Sequence, residues 1–185
     1  MSVSLVVPYH PARASNGMLD RALASAAAQT TKHSLITVED AAAEGAARTR
    51  QRGLELVTTE WTAFLDSDDE LDPDHLEHLL ACAETTGADY VYPWFRVKGG
   101  SDPFPMFFGR PWDDAAPHST TITILVRTAL AQQLGFRQVD WEDWDFTLRA
   151  VDAGARIVHH PARTWTWWHH SQNSSGRPDR GDARK

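Results

Sequence analysis

Four acidic residues fill the five positions from Asp66 to Glu70, directly after the apolar run Trp61, Ala63, Phe64 and Leu65. Carboxylates this close repel one another, and some titrate upward unless a cation or hydrogen-bond donors compensate. An Asp-x-Asp turn such as Asp66-Ser67-Asp68 can point two carboxylates at one hard cation. Mg2+ and Mn2+ favour such oxygen ligands and share them with substrate phosphates. The same acids would also suit a solvated turn leading into the next helix. Glu142 and Asp143 form a second constellation at the start of a predicted helix, where unsatisfied N–H groups favour carboxylates. Flanked by Trp141 and Trp144, one of them would be partly desolvated, which raises a carboxyl pKa and suits a general base. His169 and His170 are adjacent, so in an extended segment they fall on opposite faces and one of them can readily reach a given metal.

The elements that must position these groups are legible as alternating patterns. Ser4 to Val7 reads as a short buried strand closed by Pro8. After the Asn16-Gly17 turn, Leu19, Ala22, Leu23 and Ala26 recur at helical spacing. Leu35 to Val38 is a second strand, again ending in carboxylates, Glu39 and Asp40. Ala41 to Leu56 reads as helix, with Gly53 a weak point. Trp61 to Leu65 is the third strand. Asp72-Pro73 has the form of an N-cap and first helical residue. Leu76, Leu79, Leu80 and Ala83 then make an apolar face that stops at Gly87. "ADYVYPW" is a fourth strand, and Gly99 to Pro117 is a long loop of a kind that is often functional. Thr121 to Val126 is a fifth strand, Thr128 to Leu134 a short helix, and Glu142 to Ala153 a longer one. "RIVHH" and "TWTWW" read as two late strands.

This alternation predicts a doubly wound α/β domain whose sheet becomes mixed towards the end. In such sheets ligands bind beyond the carboxyl ends of the strands. Pro8-Tyr9, Glu39-Asp40 and Asp66 to Asp69 each follow a predicted strand, so they should gather on one rim.

The chain has 185 residues, which suits a single domain over residues 1–170 with a polar tail from 171 to 185. A formal charge of −7 argues against a nucleic-acid backbone or an anionic membrane as principal partner. Cys82 is the single cysteine, so no internal disulfide forms, and its place on an apolar helical pattern predicts a buried, inert thiol. The opening "MSVSLVVPYH" lacks a basic leader, and its apolar run is too short for a membrane span. A cytoplasmic protein with no transmembrane segment is expected. Eight tryptophans stand out; most should pack the core, although indoles also stack on sugar rings.

The stretches "SLVVPYH", "LDRALASAAAQT", "LITVED", "RQRGLELVTTEWTAFLDSDDELDPDHL" and "GFRQVDWEDWDFTLRAVDAGARIVHHP" together resemble a family 2 glycosyltransferase of the GT-A type. The span from Arg50 to Asp69 is the most specific part. It is similar to the family's Arg-Asn-x-Gly-Leu helix leading into a strand and an Asp-x-Asp-Asp turn. The resemblance implies a GT-A, Rossmann-like nucleotide-diphospho-sugar transferase fold with a mixed central sheet. It also implies metal-dependent, inverting transfer of a sugar from a nucleoside diphosphate donor, UDP-linked, to an acceptor hydroxyl, with Mn2+ or Mg2+ as cofactor. On it, Pro8 and Tyr9 line the nucleotide pocket, Asp40 contacts the nucleobase or ribose with Arg50 near it, and Glu142 joins the donor site. Asp66 holds the ribose or the metal shell, Asp68 coordinates the cation, and Asp143 is the base. His169, with His170 beside it, matches a late histidine near the metal and diphosphate. The chain departs from the family pattern at Ala41-Ala42, where Gly-Ser is common, and at Gln51, where Asn is usual. The stretch between the two acidic motifs is short, which implies a trimmed acceptor region.

Two other classes fit parts of the pattern. A non-catalytic nucleotide-sugar or carbohydrate-binding module would share the fold but has no need of Asp143. A haloacid-dehalogenase-like phosphatase would share "FLDSDD", but there the motif ends the first strand and Thr or Val stands where this chain has Glu70.

Overall fold

Val3, Leu5, Val6 and Val7 are at most 1% exposed, which is the signature of a strand covered on both faces. In the computed structural model, which describes residues 1–170 and Asn173, these residues form β1 (Val3–Tyr9). It pairs in parallel with β2 (Ser34–Glu39) on one side and β3 (Trp61–Phe64) on the other. The crossovers are helical: α1 (Pro11–Ser15) and α2 (Met18–Ala27) lead to β2, and α3 (Ala46–Glu55) leads to β3. Then follow β4 (Glu70–Leu71), α4 (His75–Thr86), β5 (Tyr90–Lys98), β6 (Leu125–Arg127), α5 (Thr128–Leu134), α6 (Glu142–Asp152) and β7 (Ile157–Trp168).

The seven strands make one sheet in the order β2-β1-β3-β6-β5-β7-β4. Strand β6 runs antiparallel to both β3 and β5, while β7 is parallel to β5 and antiparallel to β4. The expected α/β architecture with a mixed sheet is therefore what the chain adopts. Its core is built on Trp61, Phe64, Tyr90, Tyr92, Trp94, Phe146 and Trp165, all nearly inaccessible. Trp167 is buried as well, so four of the eight tryptophans serve the core, whereas Trp141 is 41% exposed. Cys82 is half-buried on α4, and burial pushes its thiol up. Among the described residues no helix is long and apolar enough to cross a membrane.

Several local expectations are corrected. The helix expected from Ala41 starts at Ala46, because the Asp40 carboxylate binds the amides of Glu44 and Gly45 and holds the chain in a turn first. Asp72 caps no helix: its carboxylate takes the Arg96 guanidinium from β5, and α4 begins at His75. The two late strands are one, β7, which runs through Pro161. Its register against β5 slips between Tyr92 and Trp94, beside Pro93, and again between Trp94 and Phe95. Proline has no N–H to give the ladder, so slips of this kind are where it is tolerated. The fifth strand is confined to Leu125–Arg127, and the two-residue β4 was not anticipated. The expected polar tail lies outside the described residues except for Asn173, which is buried and hydrogen-bonded to His170 and Trp168.

Candidate active site

The chain leaves β3 at Phe64 and turns through Asp66 to Asp69 before the short β4. Oxygens of Asp66, Asp68 and Asp69 lie within 4.8 Å of one another. Asp69 is 4% exposed, and its Oδ1 accepts a 3.0 Å hydrogen bond from the Trp168 amide. Burial, then the charges of Asp68 and Asp66, push its carboxyl well above the usual carboxylate range. Three converging carboxylates of which one is buried at a cost are a donor set that fits a hard divalent cation such as Mg2+ or Mn2+. Asp68 Oδ2 lies 3.1 Å from Arg13 Nη2 and 3.0 Å from His170 Nε2. The Asp68 carbonyl oxygen accepts from Arg21.

The turn opens on a hollow at the carboxyl ends of β1, β2 and β3, as the topology requires. Pro8, Tyr9, Asp40, Arg50, Asp66 and Asp68 all line it, together with Arg13, Thr49, Trp167 and Asn173. The Tyr9 hydroxyl donates to Glu39 Oε2 at 3.0 Å. Both Asp40 oxygens are engaged, accepting from the amides of Glu44 at 2.8 Å and Gly45 at 2.9 Å. Arg50 is 5% exposed and forks between two acids, reaching Asp66 Oδ1 and Glu142 Oε1 at 2.6 Å each. Burial works against its charge, but Asp66 and Glu142 outweigh it and raise its pKa.

Asp143 lies outside the lining of this hollow and is joined to it through Arg50, which holds the neighbouring Glu142. Its Oδ1 accepts from the Trp144 amide at 2.8 Å. Burial raises its carboxyl, the charge of Arg50 opposes that rise, and Glu142 adds to it. The helix start carrying both acids is fixed by Trp141 in the left-handed region, at φ 63° and ψ 47°. A bulky residue there costs roughly 1–3 kcal/mol and is typical of functional turns.

His170, not His169, reaches the acidic turn. The two rings diverge, and the His169 ring lies against Gly100 and Trp167 instead. Arg13 and Arg21 were not singled out from the sequence. Their only signal is a basic residue just beyond the end of β1 and another in the helix after it. Asp69 was read within the acidic run but not as a donor, because its burial depends on β7 closing over it.

The sheet order, the acidic turn after β3 and the acid pair at the start of α6 define the GT-A fold. The sequence matches Glycosyl transferase family 2 over residues 20–128, more than half of its length, and the chain belongs to that family. The fold agrees with crystal structures of S. aureus TarS 1–349. For the complex with UDP-GlcNAc the TM-score is 0.81 at 19% identity, covering 96% of this chain and 62% of that one. For the complex with UDP it is 0.79 at 19% identity, covering 91% and 61%. This chain thus spans about three fifths of the length of those structures. No curated protein matches the sequence. The acid pair Glu142-Asp143 and His170 lie beyond the family match, which ends at residue 128.

Proposed function

We propose that this chain is an inverting glycosyltransferase that moves a sugar from a UDP-linked donor to an acceptor hydroxyl, with Mn2+ or Mg2+. The observation that carries the proposal is the convergence of Asp66, Asp68 and Asp69 within 4.8 Å, on the same hollow as Pro8, Tyr9 and Asp40. Family membership and the likeness to structures holding UDP and UDP-GlcNAc support it. Asp68 and Asp66, with Asp69 and His170 beside them, would hold the cation. When bound, the cation would act as a Lewis acid that neutralises charge on the departing diphosphate. Tyr9 and Asp40 would frame the nucleoside end. Arg50 holds Asp66 and Glu142 in place. Asp143 would take the proton from the acceptor hydroxyl as it attacks the anomeric carbon from the face opposite the diphosphate. The same proposal sets the reaction in the cytoplasm.

Calorimetry of UDP binding with Mn2+ and with chelator tests the donor site. Binding should require the cation, and Asp68→Ala should remove that requirement together with most of the affinity. Equal UDP affinity in Asp68→Ala would place the cation elsewhere. The binding-module alternative is decided by turnover: release of free sugar or transfer product from UDP-GlcNAc by the wild-type chain excludes it. The phosphatase alternative is disfavoured by the position of the acidic turn, which follows β3 and not β1.

A further inference from the structure

Arg50 and Gln51 are successive residues of α3, and both reach the segment that leads from α5 into α6. Arg50 takes its far end, at Glu142 Oε1. Gln51 takes its near end, where Gln51 Oε1 accepts from the Phe136 amide at 2.8 Å. The approach is close, since a Cβ on Gly135 would come within 3.2 Å of the same oxygen. Gln51 Nε2 donates to Glu55 Oε1 at 2.9 Å, one turn along α3, which sets the way the side-chain amide faces. Arg149 of α6 holds the carbonyls of Leu134 and Gly135, and Gln138 Nε2 donates to the Glu44 carbonyl.

The residue that Gln51 fixes is a wedge. The Phe136 ring stands edge-on to Phe64 at 5.3 Å and stacks on Phe146 at 4.7 Å. Phe64 ends β3 two residues before Asp66, and Phe146 lies on α6 three residues after Asp143. Apolar contact between rings is non-directional, so it sets a spacing and leaves the backbone free to turn. A hydrogen bond to the Phe136 amide adds the missing direction. A base must be placed closely, because a misplacement of about 1 Å can cost ~10²-fold in rate.

We propose that Gln51 is a positioning residue for Asp143. Its side-chain carbonyl holds the Phe136 backbone, and the Phe64–Phe136–Phe146 stack then sets the start of α6 relative to the acidic turn. The inference rests on the role of Asp143 proposed above, and assigns part of it to a residue outside the lining of the hollow.

The test is Gln51→Met in the full chain, which keeps the side-chain length and removes the acceptor. UDP affinity with Mn2+ should stay within about two-fold of wild type, while kcat for sugar release from UDP-GlcNAc falls roughly 10-fold. Gln51→Asn, one methylene shorter, should behave like Gln51→Met. The exchanged pair Gln51→Glu with Glu55→Gln keeps an acceptor for Phe136 and the same net charge, so it should keep kcat near wild type. Added to Asp143→Asn, Gln51→Met should lower kcat no further, because it acts through the group already lost. A lowered melting temperature with unchanged kcat would mean a merely structural residue and would overturn the proposal. So would an exchanged pair as slow as Gln51→Met, or losses that add in full to those of Asp143→Asn. An inactive Asp143→Asn beside a fully active Gln51→Met sinks this inference alone and leaves the base standing. Sugar release unchanged in Asp143→Asn, or absent in wild type, overturns both.

Discussion

Arg50 and Glu142 stand 92 residues apart in the chain and 2.6 Å apart in the fold. The other arm of the same guanidinium holds Asp66, also at 2.6 Å. One buried cation from α3 thereby ties the acidic turn after β3 to the start of α6, the two places where the chain concentrates its acids. The geometry explains how Glu142 and Asp143 are kept in register with a hollow that Asp143 itself does not line. It also explains why α3 must approach the sheet so closely.

Arg50→Met should therefore destabilise the fold even though it removes a polar group from the interior. It leaves Asp66, Glu142 and Asp143 facing one another with no positive partner. Breaking a buried pair in this way costs about 3–5 kcal/mol, and the partial exposure of Asp66 and Glu142 points to the lower end. Urea unfolding at neutral pH measures it. Adding Glu142→Gln to Arg50→Met should recover part of the loss, because one stranded charge is gone. A double variant less stable than the single would show that the guanidinium is not compensating these acids.

Asp143→Asn should leave UDP affinity as it is and lower transfer or donor turnover roughly 100-fold or more, the span a positioned base contributes. In the proposed role Asp143 works deprotonated, and burial raises its carboxyl, so activity should fall on the acid side at a pH above the usual carboxylate range. Arg50 is the group that opposes the rise. A pH–rate profile for an Arg50 variant should accordingly have its acid limb moved further up. Weak UDP binding by a folded Asp143→Asn protein would count against the assignment.

What was legible in the sequence was the frame. Ser4–Val7, Leu35–Val38 and Trp61–Leu65 are largely apolar runs each ended by proline or carboxylates, and that transition marks where strands meet the rim. Less was legible wherever a distant side chain intervened. Ala41 to Ala43 have high helix propensity, but two amide bonds to Asp40 override it, and Ala43 even sits at φ 53°. Asp72-Pro73 has the local form of a cap, yet Arg96 from β5 takes the carboxylate. Alternation tells that His169 and His170 diverge but not which one faces Asp68, since that depends on how β7 lies against β4 and the acidic turn. Arg13 carries no local signature, because its contact with Asp68 comes from the fold placing α1 beside the acidic turn.

Gly53 was read as a weak point in its helix, and the packing supplies a different reason for it. A Cβ at this position would overlap Val6 of β1 and lie 3.3 Å from Val38 Cγ2 of β2. Alanine would gain about 1 kcal/mol of helix propensity, but overpacking of this kind costs roughly 1–3 kcal/mol. Gly53→Ala should lower stability in urea, against propensity. In the Val6→Ala background the same change should cost less than in wild type, so the two substitutions should couple favourably. Simple additivity would mean that α3 can move off the sheet freely.

Acidification supplies the last test, through histidines outside the proposed site. His75 is fully buried on α4 with its Nδ1 2.8 Å from Thr164 Oγ1, and burial pushes its pKa down to about 3. His118, 4% exposed, has Nε2 3.0 Å from the Tyr92 hydroxyl and is pushed down to about 4. Unfolded, both would titrate near the ordinary ~6.5. Below that pH the unfolded chain takes up protons that the folded chain refuses. The stability these residues provide is complete above pH 6.5 and is lost progressively as pH falls towards 4 and then 3. Each such histidine should contribute a slope approaching about 1.4 kcal/mol per pH unit in the middle of that window. Asp69 and Asp143, raised by burial, pull the other way as they protonate. The informative quantity is therefore the difference in slope between wild type and His118→Gln, measured by urea unfolding from pH 6.5 to 5. It should grow from about half a proton at pH 6.5 towards one proton at pH 5, and parallel slopes would show that His118 titrates as freely in the fold as out of it.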